Sequence, residues 1–558
     1  MKSRLEQILR QGLERCFDEG RLVRTAVPEF VVEIPNNPEH GHFATNLPMT
    51  LASSQKRPPR EIAAVLVETL REGNPFLERV EIAGPGFLNF TLRDEEWHRV
   101  LAEIIARGPD YGRCNVGRGE SVLVEFVSAN PTGPLHLGHG RGAALGDSLC
   151  RLLNFCGYAV SREFYINDAG LQIRLLGESV YGRWRQQREP DAPFPEGGYL
   201  GSYIDDLASE VDAETDLAAL DPEEAIERCA AFGRRRMIEE IRRDLEAFGT
   251  SFDLWFSEKE LITSGLLDEE LQRIRERGEF YEQDGAWWIR TTEYGDDKDR
   301  VIRKKDGQHT YFATDIAYHL DKWKRGFSRA VNIWGADHHG YVRRVKAALV
   351  ASGLDEDWLS VLLIQLVKLW KGGEEVRMSK RAGTYVTLRE LMDEVGVDAT
   401  RFLFLMKNHD SPLDFDLDLA KRRDSDNPVY YVQYAHARIC SVFRKAAEEG
   451  VALPADPMSV LGRLSLDEER ALVRLLARFP SMVEDACRSR EPHRVPYYLT
   501  ELAASFHRYF NLGTKKAENR MVTEDLERSQ ARLCLAEGIR TVLRNGLSLL
   551  GVHAPERM

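Results

Sequence analysis

The run Ser121-Val122-Leu123-Val124-Glu125-Phe126-Val127 constrains the fold more than any other segment of this 558-residue chain. It is rich in β-formers and almost free of polar alternation, the pattern of a strand covered on both faces of a parallel sheet. Parallel neighbours need a crossover connection. The sequence supplies one: a helical stretch over about 142–155, then a second strand over 159–166. A β-α-β unit in an open parallel sheet follows. Strand-like segments return at 330–334 and 361–364. Residues 185–300 interrupt them. They are charged and helix-forming, with Pro/Gly punctuation over 190–201, and are expected as an insertion.

Smaller units flank this sheet. Leu5, Ile8, Leu9, Leu13 and Phe17 recur three and four apart, which predicts an opening helix. A strand is expected at 30–34, helices near 44–51 and 60–70, and a strand at 87–90, together an α+β module. Residues 112–119 read as a linker, and from about Asn427 onward the pattern is helical. The expected division is 1–115, 116–184, 185–300, 301–426 and 427–558.

Composition narrows the class. With 43% apolar and 30% charged residues the chain is globular, not disordered. No run of 18 apolar residues and no leader-like start is visible, so no membrane contact and a cytoplasmic location are expected. Eight scattered cysteines without a C-x-x-C pair read as reduced structural thiols. A net charge of −13 argues against a generic nucleic-acid coat, though not against a local basic groove.

Two loops carry the candidate chemistry. Ser128-Ala129-Asn130-Pro131-Thr132-Gly133-Pro134-Leu135-His136-Leu137-Gly138-His139-Gly140 lies between the first strand and its helix. Ligands of open α/β sheets bind at such carboxyl ends, where a helix N-terminus attracts anions. Two histidines three apart can both face one phosphate. A buried structural pair and a metal pair are the alternatives, and no third ligand is evident nearby. Gly138-His139-Gly140-Arg141-Gly142-Ala143 also fits the dinucleotide fingerprint, with Glu163 downstream. That fingerprint starts directly after its strand, whereas ten residues with two prolines separate Val127 from Gly138. The second loop, Gly372-Gly373-Glu374-Glu375-Val376-Arg377-Met378-Ser379-Lys380-Arg381-Ala382-Gly383-Thr384, offers a lysine charge suited to pyrophosphate. Its bland alternative is a solvated turn. No Walker A sequence occurs.

Taken together, His136-Leu137-Gly138-His139 and Met378-Ser379-Lys380-Arg381 resemble the HIGH and KMSKS motifs of class I aminoacyl-tRNA synthetases. Leu137 replaces Ile, and Arg377 and Arg381 stand where the second motif has Lys and Ser. Four further runs resemble the arginyl-tRNA synthetase family: 41–46, 125–131, Tyr311-Phe312-Ala313-Thr314-Asp315-Ile316-Ala317-Tyr318, and the ending 549–558. The resemblance implies a Rossmann-like core with an N-terminal α+β domain and an all-α anticodon-binding domain. It implies that arginine, ATP and tRNA(Arg) give arginyl-tRNA, AMP and pyrophosphate, with Mg²⁺ accompanying ATP, and that the enzyme is a monomer. By the same resemblance His136, Gly138, His139, Gly335, Asp337, His338, Met378, Ser379 and Lys380 face ATP, with His136, His139 and Lys380 catalytic.

Arginine adds a physical demand, because its guanidinium keeps its charge when buried and needs carboxylates. Glu125 stands in an otherwise apolar strand, and burying it unpaired is costly. Tyr311 and Asp315 are four apart, on one face if that stretch is helical. The resemblance implies Glu125, Tyr311 and Asp315 around arginine, with Ser128, Asn130 and Gln365 on its polar groups. Asp315 as a surface helix residue is the alternative. On the RNA side, the aromatic and arginine-rich run 427–438 is the candidate for stacking on bases, with plain core as its alternative. Lys421-Arg422-Arg423 and Lys515-Lys516 are candidate phosphate contacts, and by resemblance the N-terminal module touches the outer corner of the tRNA. A ligase that ignores RNA and a non-enzymatic paralogue are the rival classes. The helical C-terminal domain speaks against the first, and the intact histidines and lysine against the second.

Overall fold

The computed structural model describes residues 1–35, 37–71, 74–376 and 385–558. The N-terminal module runs α1 (Lys2–Asp18), β1 (Val32–Glu33), β2 (Phe43–Thr45), α2 (Leu47–Gln55), α3 (Pro59–Arg71), β3 (Leu77–Ala83), β4 (Phe87–Leu92) and α4 (Asp94–Arg107). Its sheet has the order β1-β2-β4-β3, and the apolar rows of α1 and α3 lie buried. Two expectations shift here. Residues 43–45 pair with β4 as a strand, and the helix starts only at Leu47, with Pro48 in its first turn. The strand expected at 30–34 shrinks to Val32–Glu33.

The linker is fixed rather than loose. Gly117 and Gly119 donate backbone N–H bonds to the carbonyls of Cys156 and Gly157 at 2.9 and 2.8 Å. Next come β5 (Ser121–Glu125), α5 (Leu137–Phe155), β6 (Ala159–Ile166), α6 (Leu171–Gln186), α7 (Tyr203–Glu214), α8 (Pro222–Ala247) and β7 (Leu254–Ser257). β7 corrects the expected insertion. It lies within 185–300, yet it pairs in parallel with β6 as the edge of the main sheet. A four-residue strand after a 26-residue helix leaves little period to detect.

Three elements then build a small antiparallel sheet beside the core: β8 (Phe280–Gln283), β9 (Ala286–Ile289) and β10 (Arg300–Arg303). They follow α9 (Glu258–Thr263) and α10 (Leu266–Glu276). The core resumes with α11 (Tyr311–Lys324), β11 (Arg329–Gly335), α12 (His339–Ala351) and β12 (Leu359–Ile364). The main sheet has the order β12-β11-β5-β6-β7 and is parallel throughout. Its order reverses around β5, which places a switch point at the end of the strand first identified.

Beyond it lie β13 (Val367–Lys371), β14 (Glu374–Val376), α13 (Leu388–Val395), α14 (Val397–Phe404), β15 (Leu413–Asp416) and α15 (Leu417–Lys421). The C-terminal domain is the bundle α16 (Pro428–Glu448), α17 (Asp467–Ala477), α18 (Phe479–Ser489), α19 (Arg494–Lys515) and α20 (Leu526–Leu549).

Two devices lock α5 against these layers. A Cβ at Gly146 would lie 2.2 Å from the Phe126 ring, so the helix settles on the sheet only with glycine there. Asp147, on the same helix, is fully buried and pairs with the fully buried Arg401 of α14. Arg401 also donates to the carbonyls of Phe248 at 3.0 Å and Leu550 at 2.9 Å, so one guanidinium joins the ends of α8 and α20 to α5. All eight cysteines are free, and all but Cys114 are buried.

Candidate active site

The chain turns sharply after β5. Val127 and Ser128 take positive φ values of 69° and 38°, costly for non-glycine residues and for a β-branched one especially. The Ser128 hydroxyl anchors the turn by donating to Glu125 Oε1 at 2.9 Å and accepting the Tyr165 N–H at 3.2 Å. The strand therefore ends at Glu125, two residues earlier than its apolar run implies.

α5 begins at Leu137, five residues before the expected start, so the histidines form its N-terminus. His136 is the N-cap, and its Nδ1 accepts the Gly138 N–H at 3.1 Å. His139 Nδ1 reaches back to the His136 N–H at 3.2 Å. The rings stack with centroids 3.7 Å apart at 22°. With both Nδ1 atoms accepting backbone protons, the neutral rings carry theirs on Nε2. A Cβ at Gly138 would lie 3.0 Å from His136 Cε1, so glycine makes room for the cap.

Glu125 is 5% exposed and sits mid-sheet, in register with Asn332 on one side and Glu163 on the other. α11 answers this polar row. Lys322, fully buried, donates to Glu125 Oε2 at 2.6 Å and Asn332 Oδ1 at 3.1 Å. Asn332 donates to His319 Nε2 at 2.8 Å, and His319 Nδ1 donates to the Asp315 carbonyl at 2.7 Å. Burial, then Lys322, holds the His319 imidazole down to about 3, so it stays neutral. Glu163 accepts from Tyr318 Oη at 2.6 Å and Arg325 at 2.7 Å. That is a buried structural role, and the dinucleotide alternative ends there.

Asp315 lies on α11 below Tyr311, half-buried rather than on the surface. Its Oδ2 accepts the Tyr341 hydroxyl. Burial is the main force pushing its carboxyl up to about 6, and Glu125 adds to it. Glu258, at the start of α9, is pushed up to about 7 by burial and then by Asp315 and Asp168. Its Oε2 is buried without a hydrogen-bond partner among the described residues. A buried carboxylate oxygen left so is suited to a cationic donor.

These groups share one cleft of about 1270 Å³ at the carboxyl ends of the sheet strands. Glu125, Ser128, Asn130 and Gln365 line it, as do Tyr311 and Asp315. So do His136, Gly138 and His139 from the start of α5, and Gly335, Asp337 and His338 from the loop after β11. Every ATP and arginine candidate within the described residues is thus gathered in one place. Met378, Ser379 and Lys380 lie outside the described residues, but Val376 and Tyr385, on either side of that segment, both line the cleft. Arg141 braces the wall, donating to the carbonyls of Gln365, Asn408 and Ser411 at 2.8–2.9 Å.

Sequence reasoning missed Glu258, Tyr165 and Tyr341 in the lining, and Lys322 beneath it. The unpaired Glu125 was the available signal for Lys322, since a mid-strand carboxylate requires a buried cation. On the C-terminal bundle, Tyr430 and Tyr434 stack at 5.9 Å and 16°, and Arg438 lies 4.4 Å over the Tyr434 ring. Lys421 and Arg422 are paired with Glu394, Asp424 and Asp426, which weakens them as phosphate contacts.

A parallel sheet with a stacked histidine pair at the first crossover helix and a cleft over its strand ends defines a class I aminoacyl-tRNA synthetase core. Residues 101–418 match the model for the class I (R) tRNA synthetase catalytic domain. Residues 3–92 match the arginyl tRNA synthetase N-terminal domain, and 432–558 the DALR anticodon binding domain. The chain belongs to the arginyl-tRNA synthetase family. It is 50% identical over 560 residues to the arginine–tRNA ligase of Syntrophotalea carbinolica and 49% identical over 562 to that of Desulfosudis oleivorans, with 100% of each chain covered. The Thermus thermophilus arginyl-tRNA synthetase structure shares the fold, with a TM-score of 0.77, 24% identity and 100% of both chains covered.

Proposed function

We propose that this cleft activates L-arginine with ATP and transfers it to the 3′-terminal adenosine of tRNA(Arg). One observation carries the reading: a single cleft is lined both by the stacked histidines at a helix N-terminus and by the Glu258 and Asp315 carboxylates. The first suits phosphates, and the second suits a fixed cation. The arginine carboxylate attacks the α-phosphate, and pyrophosphate leaves. The adenosine 2′-hydroxyl then takes the aminoacyl group from AMP. Neither step needs a protein nucleophile, so catalysis is positioning and charge stabilisation.

In this reading the His136 and His139 Nε2–H groups donate to phosphate oxygens, and Lys380 neutralises the departing pyrophosphate. Gly138 lies under adenine, Gly335 and Asp337 beside the nucleoside, and His338, Met378 and Ser379 along the nucleotide. Asp315 and Glu258 receive the guanidinium, Tyr311 covers it, and Ser128, Asn130 and Gln365 hold the polar groups of arginine. Glu125, already paired with Lys322, contributes to the acidic wall. Mg²⁺ enters with ATP as the counter-ion of its phosphates. Residues 427–558 take the anticodon arm, with the Tyr430–Tyr434–Arg438 stack offering planar faces for bases. The N-terminal module, residues 1–115, meets the outer corner of the tRNA. The enzyme acts as a cytosolic monomer.

The carboxylates set a pH signature. Both are raised, Asp315 to about 6 and Glu258 to about 7. Falling pH protonates them and removes the charge the guanidinium needs, so arginine binding weakens in the acid direction. Steady-state charging of tRNA(Arg) should show KM for arginine rising roughly tenfold or more from pH 8 to pH 6, with KM for ATP nearly constant. A flat arginine profile would remove the carboxylates from the arginine pocket.

A further inference from the structure

The carboxylate on Asp315 does not stand alone. Tyr341 is the third residue of α12, the helix that starts where the Gly335–His338 loop ends. Its ring is wedged among Phe312, Trp334 and His338, with centroids 6.1, 6.1 and 6.3 Å away. From that seat its hydroxyl donates to Asp315 Oδ2. We propose that Tyr341 is a positioning residue of the arginine pocket, holding the Asp315 carboxylate in place for the guanidinium and tying it to the nucleotide-facing loop.

The chemistry fits the role. A carboxylate accepts at about four lone-pair sites, so one phenol leaves room for a bidentate guanidinium. Burial and Asp315 push the Tyr341 phenol well above its ordinary value, so it stays a donor. The groups facing Asp315 come from five elements. Glu125 on β5, Glu258 on α9 and the Tyr165 ring on β6 disfavour its charge or are disfavoured by it. Lys322 on α11 and the Tyr341 hydroxyl on α12 favour it. Removing the hydroxyl alone therefore leaves two carboxylates opposed by one ammonium that Glu125 and Asn332 already hold. A rigid ring lodged in the loop's own aromatic cluster also transmits any shift of that loop to Asp315.

This inference rests on the reading of Asp315 as a guanidinium ligand. The test is the full chain with tRNA(Arg), comparing parent, Tyr341→Phe, Asp315→Asn and the double variant, with KM for arginine and kcat measured from pH 6 to pH 9. Phenylalanine keeps the ring packing, so the fold is preserved. Tyr341→Phe should raise KM for arginine about tenfold at pH 8, leave kcat within about threefold, and move the acid limb up by about one pH unit. The double variant should be no worse than Asp315→Asn. An unchanged KM, a rise of equal size at every pH, or additive effects in the double variant would overturn the role of Tyr341. If Asp315→Asn itself leaves KM for arginine unchanged, the pocket reading fails first, and the role falls with it.

Discussion

Replacing Asp315 by asparagine is expected to raise KM for arginine by roughly 1000-fold, about 4 kcal/mol, while kcat stays within about tenfold. The size follows from what is left behind. A guanidinium cannot shed its proton, so a pocket that loses one of its carboxylates must hold a desolvated cation with a weaker partner. The asparagine side chain would keep the volume and one acceptor but not the charge. Glu258 remains, and its buried Oε2 has no hydrogen-bond partner among the described residues, which is why binding is weakened and not abolished. The split between KM and kcat matters because, in the proposed reading, Asp315 faces the end of arginine that does not react. Isothermal titration of arginine, or steady-state charging, reads the effect.

The second large effect is expected at Lys380. Lys380→Ala is expected to lower kcat about 100- to 1000-fold with little change in KM for arginine. Charge on pyrophosphate grows as the bond to the α-phosphate breaks, so an ammonium there stabilises the transition state more than the ground state. Val376 and Tyr385 line the same cleft on either side of the segment that carries Lys380, which supports that assignment. Single-turnover adenylate formation separates this step from product release. A rate equal to the parent would remove Lys380 from the reaction.

The sheet was readable because burial on both faces leaves a distinctive trace. β5 and the strand ending at Ile364 coincide with apolar runs, and the strand over 159–166 keeps its expected bounds although Ser161-Arg162-Glu163 interrupt its apolar residues. β7 was not readable, since Leu254-Trp255-Phe256-Ser257 is too short to show a period amid charged helices. The start of α5 was misplaced for a related reason. Leu137-Gly138-His139-Gly140 has poor helix propensity, and the reciprocal histidine cap that compensates for it is visible only in three dimensions.

The site divides along the same line. Residues in compact runs, such as His136 and His139 or Tyr311 and Asp315, were found from spacing and resemblance. Glu258 and Tyr341 were not, because each is one ordinary side chain 57 or 26 positions from Asp315 with no local pattern. Lys322 looks like any lysine on an amphipathic helix until β5 and β11 bring Glu125 and Asn332 beneath it. The central polar row of the sheet, Asn332-Glu125-Glu163, and its pairing with Lys322 of α11 and with Arg325 just past that helix are products of strand register, which no single strand encodes.

The most direct measurement is the exchange of labelled pyrophosphate into ATP by the purified full chain, with each amino acid in turn and with or without tRNA(Arg). The account predicts exchange with arginine, not lysine, and only when the tRNA is present. Exchange driven equally by lysine, or none with arginine and tRNA together, would contradict a cleft built to join a guanidinium-bearing substrate to a nucleotide.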